Sequence, residues 1–368
     1  MPRRLVCAIS GHGYGHLAQS AALLNILPEW LSDLQIHILS PLPLPVLHKQ
    51  LRIPFSHSPL QLDVGLLQSD ALTVDLPATR NALRALHAQW PNKIKQTRQL
   101  FASLHSDLLL ADIPYLALAA AATLLPSVAI ASLSWDAVLA AYFFPTTAQP
   151  TDPELLDWWQ SMQSAYASAT LALLPTPAIH PHPFPVAHSI APLTLPGQRH
   201  PKRLRSLLHL SPQDQRPLVL LSLGGIPAHS LPIPALQHKT ECHWLIDAPL
   251  EQPPPHLHPV SALQPHLAFS DLAASVDAVI SKPGYNTAVA ATLHQLPFLY
   301  IPRGTFPDEP FIISWAKEFG RAEELSPTQF YNAEWLEPLF ALWQQPAKPA
   351  PSGNGAQEAA AHILPLLR

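Results

Sequence analysis

Charged residues are scarce in this sequence. Lysine and arginine number 21 and aspartate and glutamate 25, together 12% of the 368 residues, where ~25% is usual. The formal net charge is −4 and the charges form no basic stripe, so the sequence lacks the electrostatic footprint of a nucleic-acid-binding protein. Hydrophobic residues make up 48%, enough for a large buried core, which excludes disorder over most of the chain.

Cysteine is also rare, and no long apolar run is unbroken. Cys7 and Cys242 lie far apart, each in or beside an apolar segment. This spacing excludes a disulfide framework and a cysteine zinc site and is typical of the reducing cytoplasm, where we expect the protein. The most membrane-like stretch, residues 113–135, is uncharged but interrupted by Pro126. It therefore predicts a buried helix and a buried strand rather than a transmembrane segment.

Glycine is the third scarce residue. The chain has 12 glycines and 44 prolines, where average usage is ~7% glycine and ~5% proline. The prolines are spread over the boundaries of predicted elements. Because glycine is so scarce, the position of each glycine is more informative than usual. Half of them fall in three short spots: Gly11, Gly13 and Gly15; Gly224 and Gly225; and Gly284.

Strand-like apolar runs alternate with helical patterns along the whole chain. This order predicts an α/β fold with parallel sheets covered on both faces. We predict two doubly wound, Rossmann-like domains, residues 1–192 and 193–350, facing a central cleft. A last helix in residues 351–368 is expected to pack back on the first domain. The predicted strands are residues 4–10, 34–39, 108–111, 127–133, 169–174, 217–223, 242–247, 278–281 and 298–301, and the main helices are 16–27, 80–105, 117–125 and 153–168.

The first glycine spot, Ser10-Gly-His-Gly-Tyr-Gly-His16, lies between a strand and a helix. Such a position places backbone N–H groups and a helix N-terminus at the carboxyl edge of the sheet, where glycine lets an anionic or sugar ligand come close. The alternating spacing differs from the dinucleotide fingerprint, which disfavours NAD. His16 at the helix start is a candidate general base. A solvated or capping histidine is the alternative in a chain with 20 histidines.

Two aspartates follow predicted strands. Asp112 ends one buried strand and Asp136 follows the next. In a parallel sheet both strand ends lie at the edge that also carries His16. A carboxylate beside an imidazole fixes its tautomer and stabilises the imidazolium. Asp112 suits equally well the N-cap of the helix predicted at residues 117–125.

The other two glycine spots also end strands. Residues 220–225 run from a buried strand into a glycine pair suited to cradle a diphosphate with backbone amides, or simply to make a turn. Residues 277–287 bring hydroxyl and amide groups and Lys282 to a helix start, as ligands or as helix caps. The sequence has no Asp-x-Asp, and His180 and His182 lie in a proline-rich linker. We therefore expect no metal site.

Four segments taken in order resemble the GT-B glycosyltransferases, in particular glycosyltransferase family 28-like proteins and the N-terminal part of plant-type L-arabinokinases. Each motif is modest alone, but the ordered set is fairly specific and covers most of the chain. The segments are Ser10-Gly-His-Gly-Tyr-Gly-His16; Ala111-Asp-Ile-Pro114 with Leu133-Ser-Trp-Asp136; Leu223-Gly-Gly-Ile-Pro-Ala228; and Ser281-Lys-Pro-Gly-Tyr-Asn-Thr287 with Arg303 and Phe306-Pro-Asp-Glu-Pro-Phe311.

This resemblance implies inverting transfer of a sugar from a nucleotide donor, most often a UDP-sugar, without a bound metal or other cofactor. It implies that His16 faces the acceptor and pairs with Asp112, and that the second domain binds the nucleotide. The diphosphate would lie at Gly224 and Gly225, the base near the Phe269-Ser-Asp271 turn, and the donor sugar hydroxyls at Asp308 and Glu309. The full expected substrate-binding set is Gly11, His12, Gly13, Gly15, Ser134, Asp136, Gly224, Gly225, Phe269, Ser281, Lys282, Gly284, Tyr285, Asn286, Thr287, Arg303, Asp308 and Glu309.

Two positions depart from the family pattern. Ala290 stands where members usually carry a ribose-binding glutamate, and Asn286 replaces a more usual glycine. Another group then binds the ribose, or the donor differs, or catalysis is lost. A non-catalytic nucleotide-sugar-binding module and a nucleotide-sugar epimerase of the same fold therefore stay open as alternatives. The acceptor is not indicated: the aromatic residues Phe143, Phe144, Trp158 and Trp159 suit a lipid acceptor, a peripheral membrane contact or a simple core.

Overall fold

The computed structural model describes residues 2–144, 152–195, 197–224 and 231–367. We call the part up to residue 195 the N-terminal half and residues 197–344 the C-terminal half. The strands of the N-terminal half are β1 (Arg4–Ile9), β2 (Gln35–Leu39), β3 (Ser56–Ser58), β4 (Gln68–Asp70), β5 (Thr73–Val74), β6 (Leu108–Asp112), β7 (Ser127–Ile130), β8 (Leu171–Pro175) and β9 (Ala187–Ile190). Its helices are α1 (Gly15–Leu24), α2 (Leu44–Gln50), α3 (Leu76–His87), α4 (Trp90–Ser103), α5 (Tyr115–Ala121), α6 (Trp135–Phe143) and α7 (Pro153–Ala167), with a 3-10 turn at Leu27–Glu29.

The C-terminal half repeats the alternation. Its strands are β10 (Leu218–Leu221), β11 (His243–Ile246), β12 (Leu257–Pro259), β13 (Ala278–Ser281), β14 (Pro297–Tyr300) and β15 (Arg321–Glu324). Its helices are α8 (Pro201–Leu207), α9 (Ile233–Leu236), α10 (Val260–Leu263), α11 (Phe269–Ser275), α12 (Tyr285–Leu293), α13 (Glu309–Phe319), α14 (Pro327–Tyr331) and α15 (Leu336–Gln344). The chain continues into α16 (Gly355–Ile363) and a 3-10 turn at Leu364–Leu367.

Each half contains one fully parallel sheet. The strand order is β3-β2-β1-β6-β7-β8-β9 in the first and β12-β11-β10-β13-β14-β15 in the second, and β4 and β5 form a separate antiparallel ribbon. The order reverses between β1 and β6 and again between β10 and β13. In open α/β sheets ligands bind at such switch points, beyond the carboxyl ends of the strands. The predicted α/β, Rossmann-like architecture is therefore confirmed, while the domain boundaries at residues 192 and 350 stay a prediction.

Both faces of the sheets are buried, which explains the uninterrupted apolar runs of the strands. In β1, Val6 and Ala8 belong to one core cluster and Leu5, Cys7 and Ile9 to another on the opposite face. A strand covered on one face alone would alternate apolar and polar residues. Layers of helices therefore enclose the first sheet on both sides.

Some predicted elements differ from the structure. Residues 80–105 form two helices, α3 and α4, because Pro91 lies in the first turn of α4. Proline is tolerated in a first turn but lacks the N–H that a helix interior needs, so a new helix starts there. The strands β3, β4, β5, β9, β12 and β15 were not predicted, since they are short and mostly not buried.

The two halves and the chain end share packing. Ala71, in the ribbon connection, is fully buried in the core of the C-terminal half. Phe306 is buried in the core of the N-terminal half, and its ring centroid lies 6.3 Å from that of Tyr142. Helix α16 packs on the N-terminal half, where its Ile363 joins the cluster of Leu5. Each half thus contributes an apolar residue to the other.

Further features concern cysteines, metals and membranes. Cys7 and Cys242 are buried, free thiols. Within the described ranges, no group of three or more His, Cys, Asp or Glu side chains is arranged to hold a metal ion. Over the same residues, no helix combines the length and apolar character that crossing a membrane requires.

Candidate active site

A buried imidazole and carboxylate meet at the switch point of the first sheet. His16 lies in the first turn of α1 and Asp112 is the last residue of β6, where it pairs in register with Ile9. His16 Nδ1 is 2.8 Å from Asp112 Oδ1, and the residues are 6% and 0% exposed. Nδ1–H donating to the carboxylate leaves Nε2 as the basic nitrogen. The interpretation of Asp112 as a helix cap is wrong, since the N-cap of α5 is Pro114.

The surroundings fix Asp112 in place. Ser20, one turn after His16 on α1, donates its hydroxyl to Asp112 Oδ2 at 3.0 Å. Ile113, the next residue, has a left-handed backbone with φ 59°, and Tyr166 donates to its carbonyl at 3.0 Å. A β-branched residue adopts this conformation only when its neighbours enforce it, and such strain is typical of functional sites.

The two histidines of the glycine loop have pKa values shifted in opposite directions. Burial lowers the pKa of His16, but Asp112, with Asp63 and Asp308, more than offsets this, so that its pKa is raised. Burial lowers the pKa of His12 to about 3, and the charges of His16, Lys282 and Arg303 act in the same direction. His16 therefore takes up a proton readily, whereas His12 stays neutral at physiological pH.

Asp63 was missed by the sequence analysis, and Trp135, although part of the Leu133-Ser-Trp-Asp136 segment, was given no role there. Asp63, in the connection between β3 and β4, is buried and accepts the indole N–H of Trp135 at 2.8 Å. The Trp135 ring meets His12 and His16 edge-on, with centroids 5.0 and 6.1 Å away. A Cβ on Gly65 would lie 2.4 Å from the indole. The rare glycine two residues after an aspartate was the available signal.

In the C-terminal half, the residues that follow β10 and β13 lie close together. After β10, Gly224 has a φ of 85° and donates its N–H to Ser222 Oγ at 3.3 Å. A Cβ there would lie 3.6 Å from Cε of Lys282, which follows β13. Burial, reinforced by Arg303, lowers the pKa of Lys282 to about 8. The turn at Gly224 and the ammonium group of Lys282 therefore lie next to each other. Gly225 lies outside the described residues.

Arg303 is the centre of a buried charge cluster. Its Nε is 2.5 Å from Glu309 Oε1, its backbone N–H donates to Glu309 Oε2 at 2.9 Å, and Asp308 lies at 3.4 Å. The guanidinium stacks on Phe306, 3.7 Å from the ring centroid. Burial, with Glu309 adding to it, raises the pKa of Asp308 to about 6. The structure thus brings Arg303, Asp308 and Glu309 together, and both oxygens of Glu309 bind Arg303.

The start of α12 is bound to the N-terminal half. Tyr285 donates its hydroxyl to the Thr176 carbonyl at 3.0 Å and accepts the N–H of Leu193 at 3.1 Å. Asn286 donates to the Gly15 carbonyl at 3.1 Å and accepts the Thr194 hydroxyl at 2.7 Å. Both side chains therefore join the halves, and their expected contact with a donor stays a prediction.

We predict that Asn286→Ala lowers the free energy of unfolding by about 1–2 kcal/mol, because two hydrogen bonds between the halves are lost. Urea denaturation measures this. The matched control is Asn332→Ala, since Asn332 forms a local, exposed bond to Glu334. Equal effects of the two substitutions would contradict a bracing role for Asn286.

Ser134 and Asp136 lie at the start of α6, and both are buried. Burial raises the pKa of Asp136, while hydrogen bonds from Ser134 and Gln163 oppose the shift. The carboxylate therefore faces α7. Of the two strand-end aspartates, the structure brings Asp112 but not Asp136 into contact with His16.

The remaining predicted residues line the same loops. Gly11 packs against Pro41, and Gly13, with φ 72°, borders open space. Gly284 is the N-cap of α12, and Thr287 is half-buried in its first turn. Ser281 is fully buried, with a hydroxyl that has no partner among the described residues. Phe269 is exposed at the start of α11, beside the bond from Gln198 N–H to Asp271 at 2.8 Å.

Comparison with known proteins supports the fold. No family model matches the chain. It is 26% identical to Arabidopsis thaliana L-arabinokinase over 376 residues, covering 97% of this chain and 33% of that protein. The chain thus spans about a third of the length of this curated relative.

Solved glycosyltransferase structures resemble nearly the whole chain. The glycotransferase of kitacinnamycin has a TM-score of 0.65 at 15% identity, covering 100% of this chain and 95% of that one. Medicago truncatula UGT71G1, complexed with UDP-glucose, has a TM-score of 0.60 at 13% identity, with coverages of 98% and 93%. A Siraitia grosvenorii ugt transferase in complex with UDP has a TM-score of 0.56 at 13% identity and covers 99% of each chain. Placement in the family 28-like group stays a prediction, and the chain has the GT-B fold.

Proposed function

We propose that this protein is an inverting glycosyltransferase that uses a nucleotide-sugar donor, with His16 as the general base. The observation that carries the proposal is the buried His16–Asp112 pair, joined at 2.8 Å. Groups of the C-terminal half act on the same loop: the charges of Lys282 and Arg303 lower the pKa of His12, and the charge of Asp308 raises that of His16. The structural likeness to proteins complexed with UDP and UDP-glucose supports a uridine donor.

In the proposed reaction, Nε2 of His16 takes the proton of an acceptor hydroxyl. The acceptor oxygen bonds to the anomeric carbon from the face opposite the nucleotide as the bond to the diphosphate breaks, which inverts that carbon. Asp112 stabilises the imidazolium that forms. The leaving diphosphate gains negative charge, and the N-terminus of α12, the turn at Gly224 and Lys282 supply positive groups for it. Because this chain provides that positive charge, we propose that the reaction needs no metal ion.

The titrations of His16 and Lys282 predict a bell-shaped pH dependence of kcat/KM. His16 acts as a base only when neutral, so activity rises as pH increases through its raised pKa. Lys282 acts only when protonated, so activity falls as pH rises through about 8. Kinetics over pH 5–10 would measure both limbs, which report the free enzyme.

The matched variant is Lys282→Arg, which keeps the positive charge at all accessible pH values. We expect the alkaline limb to disappear while the acidic limb stays in place. In contrast, Lys282→Met should raise the KM for the donor about 10- to 100-fold, the effect of losing one charge-assisted contact. An unchanged alkaline limb in Lys282→Arg would contradict the role given to Lys282.

The decisive experiment is a screen of UDP-, GDP- and dTDP-sugars with a panel of acceptors, with His16→Ala as the control. Transfer that depends on His16 is the expected result. If no donor is transferred or hydrolysed, the proposal is wrong. Interconversion of a UDP-sugar without an acceptor would instead identify an epimerase.

A second candidate function rests on Ala290, which is half-buried on α12 where the resemblance implies a ribose-binding glutamate. A nucleotide-sugar-binding module would bind the donor without transferring its sugar. It would therefore not need the exact placement of the donor that catalysis requires. Calorimetry that detects UDP-sugar binding, together with no transfer to any acceptor, would favour it. Detected transfer would exclude it.

A further inference from the structure

Asp63 is a second buried carboxylate beside the His16–Asp112 pair. It is 3% exposed, and its Oδ2 accepts the indole N–H of Trp135 at 2.8 Å. The Ser10 side chain also stabilises the charged form of this carboxylate, which opposes the rise of its pKa by burial. Ser10 opens the glycine loop, and its N–H bonds the Asp112 carbonyl at 3.4 Å. Asp63 therefore connects the loop that carries His16 to the indole of Trp135.

The indole itself has little freedom. Trp135 is fully buried, its edge meets His16 at 6.1 Å between ring centroids, and Gly65 leaves no room for a Cβ against its ring. Asp63 is thus fixed near His16 without a direct hydrogen bond between the two. Any influence of its charge on the imidazole is therefore exerted through space, in a region from which solvent is largely excluded.

The balance of charge around His16 favours its protonated form. With Asp112 and Asp63 ionised, a neutral His16 leaves two buried negative charges, and protonation offsets one of them. Burial raises the pKa of Asp63, and Trp135 and Ser10 stabilise its charged form. Among the described residues, the other ionisable groups in this surrounding are His12, Asp308, Lys282, Arg303, Cys7 beneath Asp112, and the buried tyrosines Tyr115, Tyr166 and Tyr285.

We propose that Asp63 is a positioning residue that, together with Asp112, favours the imidazolium form of His16 and thereby sets the pH above which His16 becomes a base. The kinetic part of this inference rests on the proposed function. The protonation of His16 does not, because it can be observed in the isolated protein.

The test is Asp63→Asn, which keeps an oxygen for Trp135 and removes the charge. We expect the proton affinity of His16 to fall about three- to tenfold, the effect of removing a unit charge from a nearby buried position. Titration of the imidazole by 15N NMR measures this. Asp107→Asn, at the opposite end of β6 and exposed, is the matched control and should leave the titration unchanged.

The kinetic readout separates an electrostatic role from a structural one. In Asp63→Asn, the acidic limb of kcat/KM should move to lower pH. At pH values below the wild-type limb, activity relative to its own plateau should therefore rise about three- to tenfold. A merely structural role predicts a loss at every pH without movement of the limb. An unmoved His16 titration in a folded Asp63→Asn protein would overturn the inference.

A second variant covers the case in which Asp63→Asn does not fold. Ser10→Ala removes one donor that stabilises the charged Asp63, so the titration of His16 should move in the same direction by a smaller amount. No movement there would also overturn the inference. A shifted titration without transfer from any donor would reject the proposed function but keep the assignment of Asp63. Transfer with an unshifted titration would do the reverse.

Discussion

Replacing His16 by glutamine is expected to lower kcat about 10²–10⁴-fold, the range that a positioned general base contributes. Glutamine keeps a polar side chain near Asp112 but cannot take up a proton. The KM for the donor should change little, because the donor contacts proposed above lie in the C-terminal half. Steady-state kinetics with saturating donor would separate the two parameters.

Asp112→Asn tests the same pair from its other side. The amide would donate to Nδ1 of His16, which moves the imidazole proton to Nε2 and leaves no base there. A loss of about 10³–10⁴-fold in kcat is expected. The double variant should be hardly worse than either single one, since the two residues act as a unit.

The exposed His105 supplies the matched control, and His105→Gln should keep full activity. Circular dichroism and thermal unfolding would show that the variants fold. Transfer at more than a tenth of the wild-type rate by a folded His16→Gln protein would show that another group accepts the proton.

The second large effect concerns stability and needs no substrate. Arg303→Met should lower the free energy of unfolding by about 3–5 kcal/mol, because removing one partner of a buried ion pair leaves uncompensated charge. Here two buried carboxylates, Asp308 and Glu309, would lose their cation. Chemical denaturation at pH 7.5 measures the loss.

The pH dependence of that loss has a defined sign. In the folded protein the pKa of Asp308 is already raised to about 6, so the folded state favours the protonated form more than the unfolded state does. Without Arg303 this preference increases. The deficit of Arg303→Met should therefore shrink as pH falls from 7.5 towards 5.

A matched surface pair provides the comparison. Arg84 binds Glu154 through Nε and Nη2 at 2.8 and 2.6 Å on the outside of the N-terminal half. Solvent screens such a pair, so Arg84→Met should cost far less than Arg303→Met. Similar losses in both variants would show that the Arg303 cluster is effectively solvated.

Local sequence patterns predicted those parts of the site that lie at strand ends. Parallel strands place their carboxyl ends at one edge, which brings Asp112 to the edge that carries His16, although the pattern suited Asp112 equally well as a helix cap and the resemblance alone implied the pair. The same rule failed for Asp136, because a side chain one residue into α6 is directed by helix geometry towards α7 rather than by the strand.

Features fixed by long-range packing were not predictable. Asp63 lies in an irregular connection far from His16 in sequence, and only the fold brings its carboxylate to Trp135. Asn286 has the residue type of a ligand-binding helix start, yet its side chain joins the two halves. A local motif does not distinguish these uses, since both need a polar group at the same helix end. The break between α3 and α4 was missed because helical periodicity continues through it.

Phe306 and Ala71 are each buried in the core of the opposite half, and this packing opposes separation of the halves. Separating the halves must withdraw Phe306 from its apolar surroundings, and exposing a buried aromatic side chain of this size costs about 1.5–3 kcal/mol. That difference alone keeps an open conformer below about a tenth of the molecules. The closed conformer is then the resting state, and under the proposed function the frequency of brief opening would set an upper limit on the rates of donor binding and nucleotide release.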